Sequence, residues 1–170
     1  TVAATAAGDR NLGALVLRGR AEIRLHRGER EIAGREAREA LELHRGLKDP
    51  VGEAGDLRIV AAVLALDGQV QEAEAMLRDV IIRATTLERP QLEAEALRDL
   101  AMLQHRAGRA AEARLTARAA QAIFARMGAE YELRRLAAFA WDQEFGAEMR
   151  QSLQPLHEAQ QLANAGRYAE

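Results

Sequence analysis

The chain has 170 residues, of which 48% are hydrophobic and 29% charged, a composition typical of one soluble globular domain. Aromatic residues make up only 4%, so the core must be built from Ala, Leu, Ile and Val, which suits closely packed helices better than a β-sandwich. A net charge of -2 argues against nucleic acid as the partner, and the lack of cysteine excludes disulfides, thiol catalysis and Cys-ligated zinc.

A register of 40 residues runs through the chain. Gly28, Gly68 and Gly108 recur at this spacing, and so do Pro50 and Pro90. Four columns of apolar or small residues keep the same spacing around the glycines: Leu17, Leu57, Leu97; Ala21, Ala61, Ala101; Ala33, Ala73, Ala113; and Ala40, Val80, Ala120. Self-similarity at a fixed period of this size is typical of stacked helical repeats.

The predicted elements follow from this register in chain order. Residues 1–7 fall in register with 41–47 and predict the tail of a helix from a preceding repeat. Three repeats are expected at about 10–49, 50–89 and 90–129, each of two helices joined at its glycine, which readily ends a helix. A proline then favours a new start, because it cannot continue the helix before it. The predicted helices are Asn11–Arg27, Glu29–Leu47, Gly52–Asp67, Val70–Leu87, Gln91–Ala107 and Ala110–Met127.

The register weakens towards the C-terminus. Residues 130–149 predict a divergent repeat, because Trp141 stands where the earlier repeats have a small alanine. We expect an aromatic cluster to cap or bend the stack: Phe124, Tyr131, Phe139, Trp141 and Phe145. Residues 150–170 predict the start of a further repeat or a tail, with a helix over Ser152–Asn164. Because the chain neither begins with Met nor ends like a natural stop, we expect one domain over 1–170, cut from a longer protein.

The columns resemble the tetratricopeptide repeat. That family's pattern is a large apolar residue, a small residue four later, a glycine seven after that and an alanine five further on, as in Leu57, Ala61, Gly68 and Ala73. The period of 40 is longer than the family's usual 34, and such longer variants occur in bacterial regulators and signalling proteins. The resemblance implies an all-α, right-handed solenoid of antiparallel helix hairpins, whose first helices line a concave groove. It implies no chemistry.

Signatures of catalysis and of membrane spans are missing from the sequence. Neither GxGxxG nor GxxxxGK[ST] occurs, and the single serine, Ser152, has no G-x-S-x-G setting. His157-Glu158 begins a zinc-protease pattern, but Gln161 stands where the second histidine is required. No apolar run approaches the roughly 18 residues of a membrane span. We therefore expect a protein that is not an enzyme, needs no cofactor or metal and does not bind membranes.

One column of charged residues suggests a binding surface. Arg18, Arg58 and Arg98 directly follow the Leu17 column, at the position that faces the groove in the resembling family. We call these three residues the arginine column. Guanidinium groups bind carboxylates in a bidentate manner, so the column predicts contact with an acidic segment or a C-terminal carboxylate. The alternative is a row of solvated arginines partly neutralised by Glu22, Glu95 and Asp99. Arg106 and His26 fall in a second groove-facing column, and His105 lies beside Arg106. Met102, Ile59 and Phe139 suggest an apolar floor for an amphipathic helix, with ordinary packing residues as the alternative.

These patterns favour an interaction scaffold. A single hairpin cannot bury its apolar stripe, whereas stacked hairpins bury it against each other and expose a long groove. Our first hypothesis is a non-catalytic module that binds a peptide or a partner protein in that groove. The alternatives are a self-association module that forms a homodimer, and a small-molecule sensor domain of a bacterial transcription or signalling protein. The lack of cysteine and the habits of the family suggest a cytoplasmic location.

Overall fold

A computed structural model describes residues 2–139, 141, 143–151, 153–155, 158 and 161, without the side chains of residues 2–7, 143 and 144. These residues form eight α-helices and contain no strand. The helices are α1 Val2–His26, α2 Arg30–Leu47, α3 Pro50–Leu66, α4 Val70–Thr86, α5 Pro90–Arg106, α6 Ala110–Met127, α7 Glu130–Ala137 and α8 Gln143–Gln151. None of them is long and apolar enough to cross a membrane.

The glycines and prolines that were predicted to end and begin helices lie at the helix boundaries. Gly28, Gly68 and Gly108 have φ angles of 79°, 82° and 78°, in the left-handed region that a residue without a Cβ adopts at little cost. Pro50 and Pro90 each begin a first helix, where the missing N–H is not needed. The helix bounds therefore agree with the predicted ones to within two residues from α2 to α6.

The beginning of the chain differs from the expectation. Residues 1–7 were predicted to be the tail of a separate helix, but α1 runs without a break from Val2 to His26. The reason is Arg10, which stands where the next two repeats have Pro50 and Pro90. Arginine has a backbone N–H and tolerates helical angles before it, so nothing stops the helix at this point.

Stacking of the hairpins creates an apolar interior with two core clusters. Each second helix packs both against the first helix of its own repeat and against the first helix of the next. One core cluster joins α1 to α5 around Ile59, Leu77 and Val80, and a second joins α5 to α8 around Phe124 and Leu136. The column of small residues Ala21, Ala61 and Ala101 is fully buried, which allows the paired helices to approach closely.

The aromatic cluster forms at the C-terminal end, with one exception. Trp141 lies in the turn after α7, with ring centroids 4.6 Å from Phe139 and 5.2 Å from Phe145, and its Nε1 donates to the Leu136 carbonyl at 2.8 Å. Phe124 belongs to the same core. Tyr131 does not, since it is 70% exposed and lies beside Arg135. Of the predicted helix over Ser152–Asn164, only residues 153–155, 158 and 161 are among those described.

The position of Glu36 along α2 does not reveal its environment. Its spacing from Arg35 and Arg38 is that of a solvated helix surface, yet Glu36 is buried and pairs with two arginines of α1. Arg20 Nη2 and Arg24 Nε lie 2.6 and 3.0 Å from its carboxylate oxygens. Sequence spacing missed these pairs because they join residues on different helices.

Candidate functional site: the first-helix groove

The first helices of successive repeats form one groove. Two adjoining pockets lie along it and share Glu22 of α1 and Arg58 of α3. The inner pocket has a volume of about 310 Å³ and is lined by α1, α3, α4, α5 and α7. The outer pocket has a volume of about 510 Å³ and is lined by α1, by the starts of α3 and α5, by the turn before α5 and by Met127.

Two members of the arginine column are buried in an ion-pair network. Arg58 Nη1 donates to Asp99 at 2.8 Å, and Arg58 Nη2 lies 3.0 Å from Glu22 and 3.3 Å from Glu95. Arg98 pairs with Asp99 at 3.0 Å and with Glu132 of α7. We call Glu22, Arg58, Glu95, Arg98, Asp99 and Glu132 the groove network. It ties α1, α3, α5 and α7 together across the floor of the groove.

Asp99 is the centre of the groove network. Burial by itself raises the pKa of its carboxyl, but the guanidinium groups of Arg98 and Arg58 outweigh burial and leave that pKa below its ordinary value. For Arg58, burial lowers the pKa, and the surrounding carboxylates of Asp99, Glu95 and Glu22 reverse the direction and raise it. Each charge therefore stabilises the others in a place that would otherwise disfavour all of them.

The arginine column is consequently divided. Arg58 and Arg98 lie in the groove, but their guanidinium groups are held by carboxylates of the same chain, and they are not a solvated row. Arg18 stands apart in the outer pocket, half-buried, with Nη1 3.9 Å from Asp56 Oδ1. The predicted neutralising residues Glu22, Glu95 and Asp99 are those that the structure places around Arg58.

The remaining predicted groove residues fall into two places. Met102 and Arg106 line the inner pocket, where Ile59, Ala62 and Leu103 add apolar surface. Arg106 is exposed, makes no ion pair with any described residue and lies 5.5 Å from the Phe139 ring. His105 does not line either pocket. Its ring packs against Phe139 and Trp141 at centroid distances of 5.6 and 5.3 Å, so its role is to hold the aromatic cluster against α5.

A buried polar pair beside the groove escaped the sequence analysis. His44 of α2 and Asp56 of α3 are both fully buried, and Asp56 also faces Arg18. Gly52 makes room for the imidazole, because a Cβ at that position would lie 2.5 Å from His44 Cγ. The available signal was the pair of glycines on the buried face of α3, Gly52 and Gly55, since glycine inside a helix usually has a packing reason. Gly55 makes the equivalent space for Arg18.

Comparison with known proteins supports the fold. The chain is similar to the crystal structure of aspartyl phosphate phosphatase F from Bacillus subtilis, with a TM-score of 0.68 and 15% sequence identity. The match covers 92% of this chain and 40% of that one, so this chain spans about two fifths of its length. No family model and no curated protein matches the sequence. The likeness confirms the predicted all-α, tetratricopeptide-like helical repeat fold.

Proposed function

We propose that this chain is a non-catalytic interaction module of the tetratricopeptide type, and that its groove binds an amphipathic peptide segment with acidic groups beside a bulky apolar residue. The observation that carries the proposal is the inner pocket. An apolar floor there lies below Arg106, a cation with no ion-pair partner among the described residues.

The charge distribution supports an acidic ligand at this pocket. Its lining contains the cations Arg58, Arg98, Arg106 and Arg135 and the two carboxylates of Glu22 and Asp99. The carboxylates and the two buried arginines already pair with each other in the groove network. Arg135 Nη1 also lies 3.5 Å from Glu132 Oε1, so the cation left for a ligand is Arg106, and the exposed His26 lines the same pocket. Arginine at such a position favours carboxylates, with which it forms two hydrogen bonds at once.

The pocket dimensions support an inserted side chain. A volume of about 310 Å³ is at the low end of the range that small ligand sites occupy and exceeds that of one large aliphatic or aromatic side chain. Met102 forms part of the wall, and a flexible thioether adapts to differently shaped apolar partners. An amphipathic helix laid in a groove presents such anchors at helical spacing.

A small-molecule sensor is the second candidate. The outer pocket supports it, because about 510 Å³ is an ordinary volume for a small-ligand site and Arg18, Glu22, Arg58 and Glu95 supply polar groups. A ligand bound only there would contact the turn before α5 and the end of α6, and would not contact Arg106.

The test is a titration with two sets of fluorescent amphipathic peptides that share their apolar residues and differ in carrying Glu or Lys on the polar face. We expect the acidic set to bind more tightly. Arg106→Glu and Ala62→Phe should each weaken that binding about tenfold or more, the first by charge reversal and the second by filling the inner pocket. Arg126→Glu, an exposed charge reversal on α6, is the matched control and should leave affinity unchanged. Equal affinity for both sets, or loss in the control alone, would contradict the proposal.

A further inference from the structure

The outer face of α1 carries an apolar stripe. Leu12, Leu15, Val16 and Ile23 are 63%, 43%, 51% and 54% exposed, and their spacing of three, one and seven residues places them on one side of the helix. We call these four residues the α1 stripe. The opposite side of α1 is the one that enters the core, through the fully buried Ala14 and Ala21. Helix α1 therefore presents apolar surface on two sides, and the described part of the chain covers only one.

In the next two repeats, the residues equivalent to Ile23 are buried. The residues 40 and 80 positions after Ile23 are Val63 and Leu103, which are only 3% and 5% exposed. Both lie on first helices that pack against the second helix of the preceding repeat, α2 or α4. Ile23 thus occupies the position of a helix-packing residue, and an occupant with a helical apolar face would fit against it.

The stripe is complementary to itself when two copies of α1 pack antiparallel. A two-fold axis that passes α1 midway between Val16 and Gly19 places Leu12 opposite Ile23 of the second copy. The same axis places Val16 opposite Gly19 of the second copy. Gly19 is suited to this contact, because nothing lies within 4 Å of the position that its Cβ would take. Isologous contacts of this kind, in which one patch meets its own copy, are the usual arrangement in homodimers.

Charged residues that flank the α1 stripe favour the same antiparallel arrangement. Asp9 and Arg27 lie on the same edge of the helix, five turns apart, and both are exposed. Neither makes an ion pair with any described residue of its own chain. In the antiparallel arrangement, Asp9 of each copy lies on the same edge as Arg27 of the other and is offset from it by one residue, about 1.5 Å along the axis. A parallel arrangement would leave Asp9 of one copy and Arg27 of the other about five helical turns apart.

From these observations we propose that the α1 stripe is the contact between two copies of this chain, packed with their α1 helices antiparallel. The interface is independent of ligand binding in the groove. One helical stripe of about three turns is smaller than a standard protein interface, so the dimer is a weak one that dissociates on dilution.

The experiment is sedimentation or light-scattering mass measured on the purified chain over a hundredfold dilution. We expect the mass to rise from one copy towards two with concentration. The variant Val16→Glu/Ile23→Glu should raise the dissociation constant about a hundredfold, because it places four charges in the contact. Circular dichroism should show unchanged helix content, since the buried face of α1 is not altered.

Charge reversal tests the register and does not depend on the core. Asp9→Arg alone and Arg27→Asp alone should each raise the dissociation constant about tenfold at low salt, because each places like charges opposite each other twice. An equimolar mixture of the two variants should recover dimerisation, since both intermolecular pairs become attractive again. A mass of one copy at every concentration, or a mixture no better than its components, would overturn the proposal. The monomeric outcome would leave the stripe for a different occupant.

Discussion

His44 Nδ1 lies 2.5 Å from Asp56 Oδ2, and both side chains are fully buried at the junction of the first two repeats. The bond joins α2 to α3, and Asp49, which caps α3 by accepting from the Val51 and Gly52 amides, lies on the other side of the imidazole. Burial raises the pKa of Asp56, and the hydrogen bond from His44 opposes that rise. The junction of the first two repeats thus depends on a buried hydrogen bond between two polar side chains, His44 and Asp56.

We expect the removal of either partner to destabilise the fold by about 3 kcal/mol or more, because the other partner stays buried without its hydrogen bond. The measurement is a double-mutant cycle of His44→Ala, Asp56→Ala and the double variant, in urea unfolding followed by circular dichroism. The free energy of unfolding of the double variant should fall by clearly less than the sum of the two single-variant decreases. Additive losses would show that the two side chains act independently.

Glycine substitutions should have opposite effects at two helical positions. Gly52→Ala places a methyl group against the His44 ring and should destabilise by about 2 kcal/mol, because neither the buried ring nor the capped helix start can yield easily. Gly13→Ala in α1, where a Cβ meets nothing within 4 Å, should stabilise by about 0.5–1 kcal/mol through helix propensity. Thermal unfolding of both variants measures the contrast. A stable Gly52→Ala protein would mean that His44 has room to move.

Asp99 should be the most important carboxylate of the groove network. Asp99→Ala leaves two buried arginines, Arg58 and Arg98, without their shared partner, and we expect a loss of about 3 kcal/mol. Glu95→Ala removes a single, longer contact to Arg58 at 3.3 Å and should cost at most about 1 kcal/mol. Chemical unfolding of the two variants under the same conditions provides the comparison. Equal losses of stability in the two variants would show that Asp99 is no more important to the groove network than Glu95.

Glu74 should contribute to acid unfolding. Hydrogen bonds from Arg109, with Nη2 2.6 Å from Oε2, hold the pKa of Glu74 below its ordinary value of 4.5. Because the folded pKa is the lower one, the unfolded chain binds the proton first as pH falls, and stability is lost through the window from about pH 4.5 down to the folded pKa. Above that window the contribution is complete and constant.

The check is the unfolding free energy of the wild type and of Glu74→Gln at a series of pH values from neutral to strongly acidic. The difference between them should shrink as pH falls below about 4.5. Glu39→Gln, an exposed position on α2, is the matched control and should show no such trend. A difference that stays constant with pH would contradict the assignment.

The sequence by itself determined the local architecture. Gly68, Pro90 and the columns around them set where helices end and begin, because these preferences depend on the backbone of a few neighbouring residues. Recurrence at a fixed period predicted the stack, and Met102 and Arg106, two of the predicted groove residues, line the inner pocket. Arg10 shows the limit of the register, since one missing proline joined two predicted helices into α1.

Only the tertiary structure decided what the charged residues do. Arg58 finds its carboxylates on α1 and α5, 36 and 41 residues away, and His44 finds Asp56 across a repeat junction. Such partners depend on how helices of different repeats rotate and approach, which no spacing along one helix encodes. The arginine column was therefore visible as a pattern, while its division into a buried network and a separate Arg18 followed from the balance between burial and pairing in the stacked repeats.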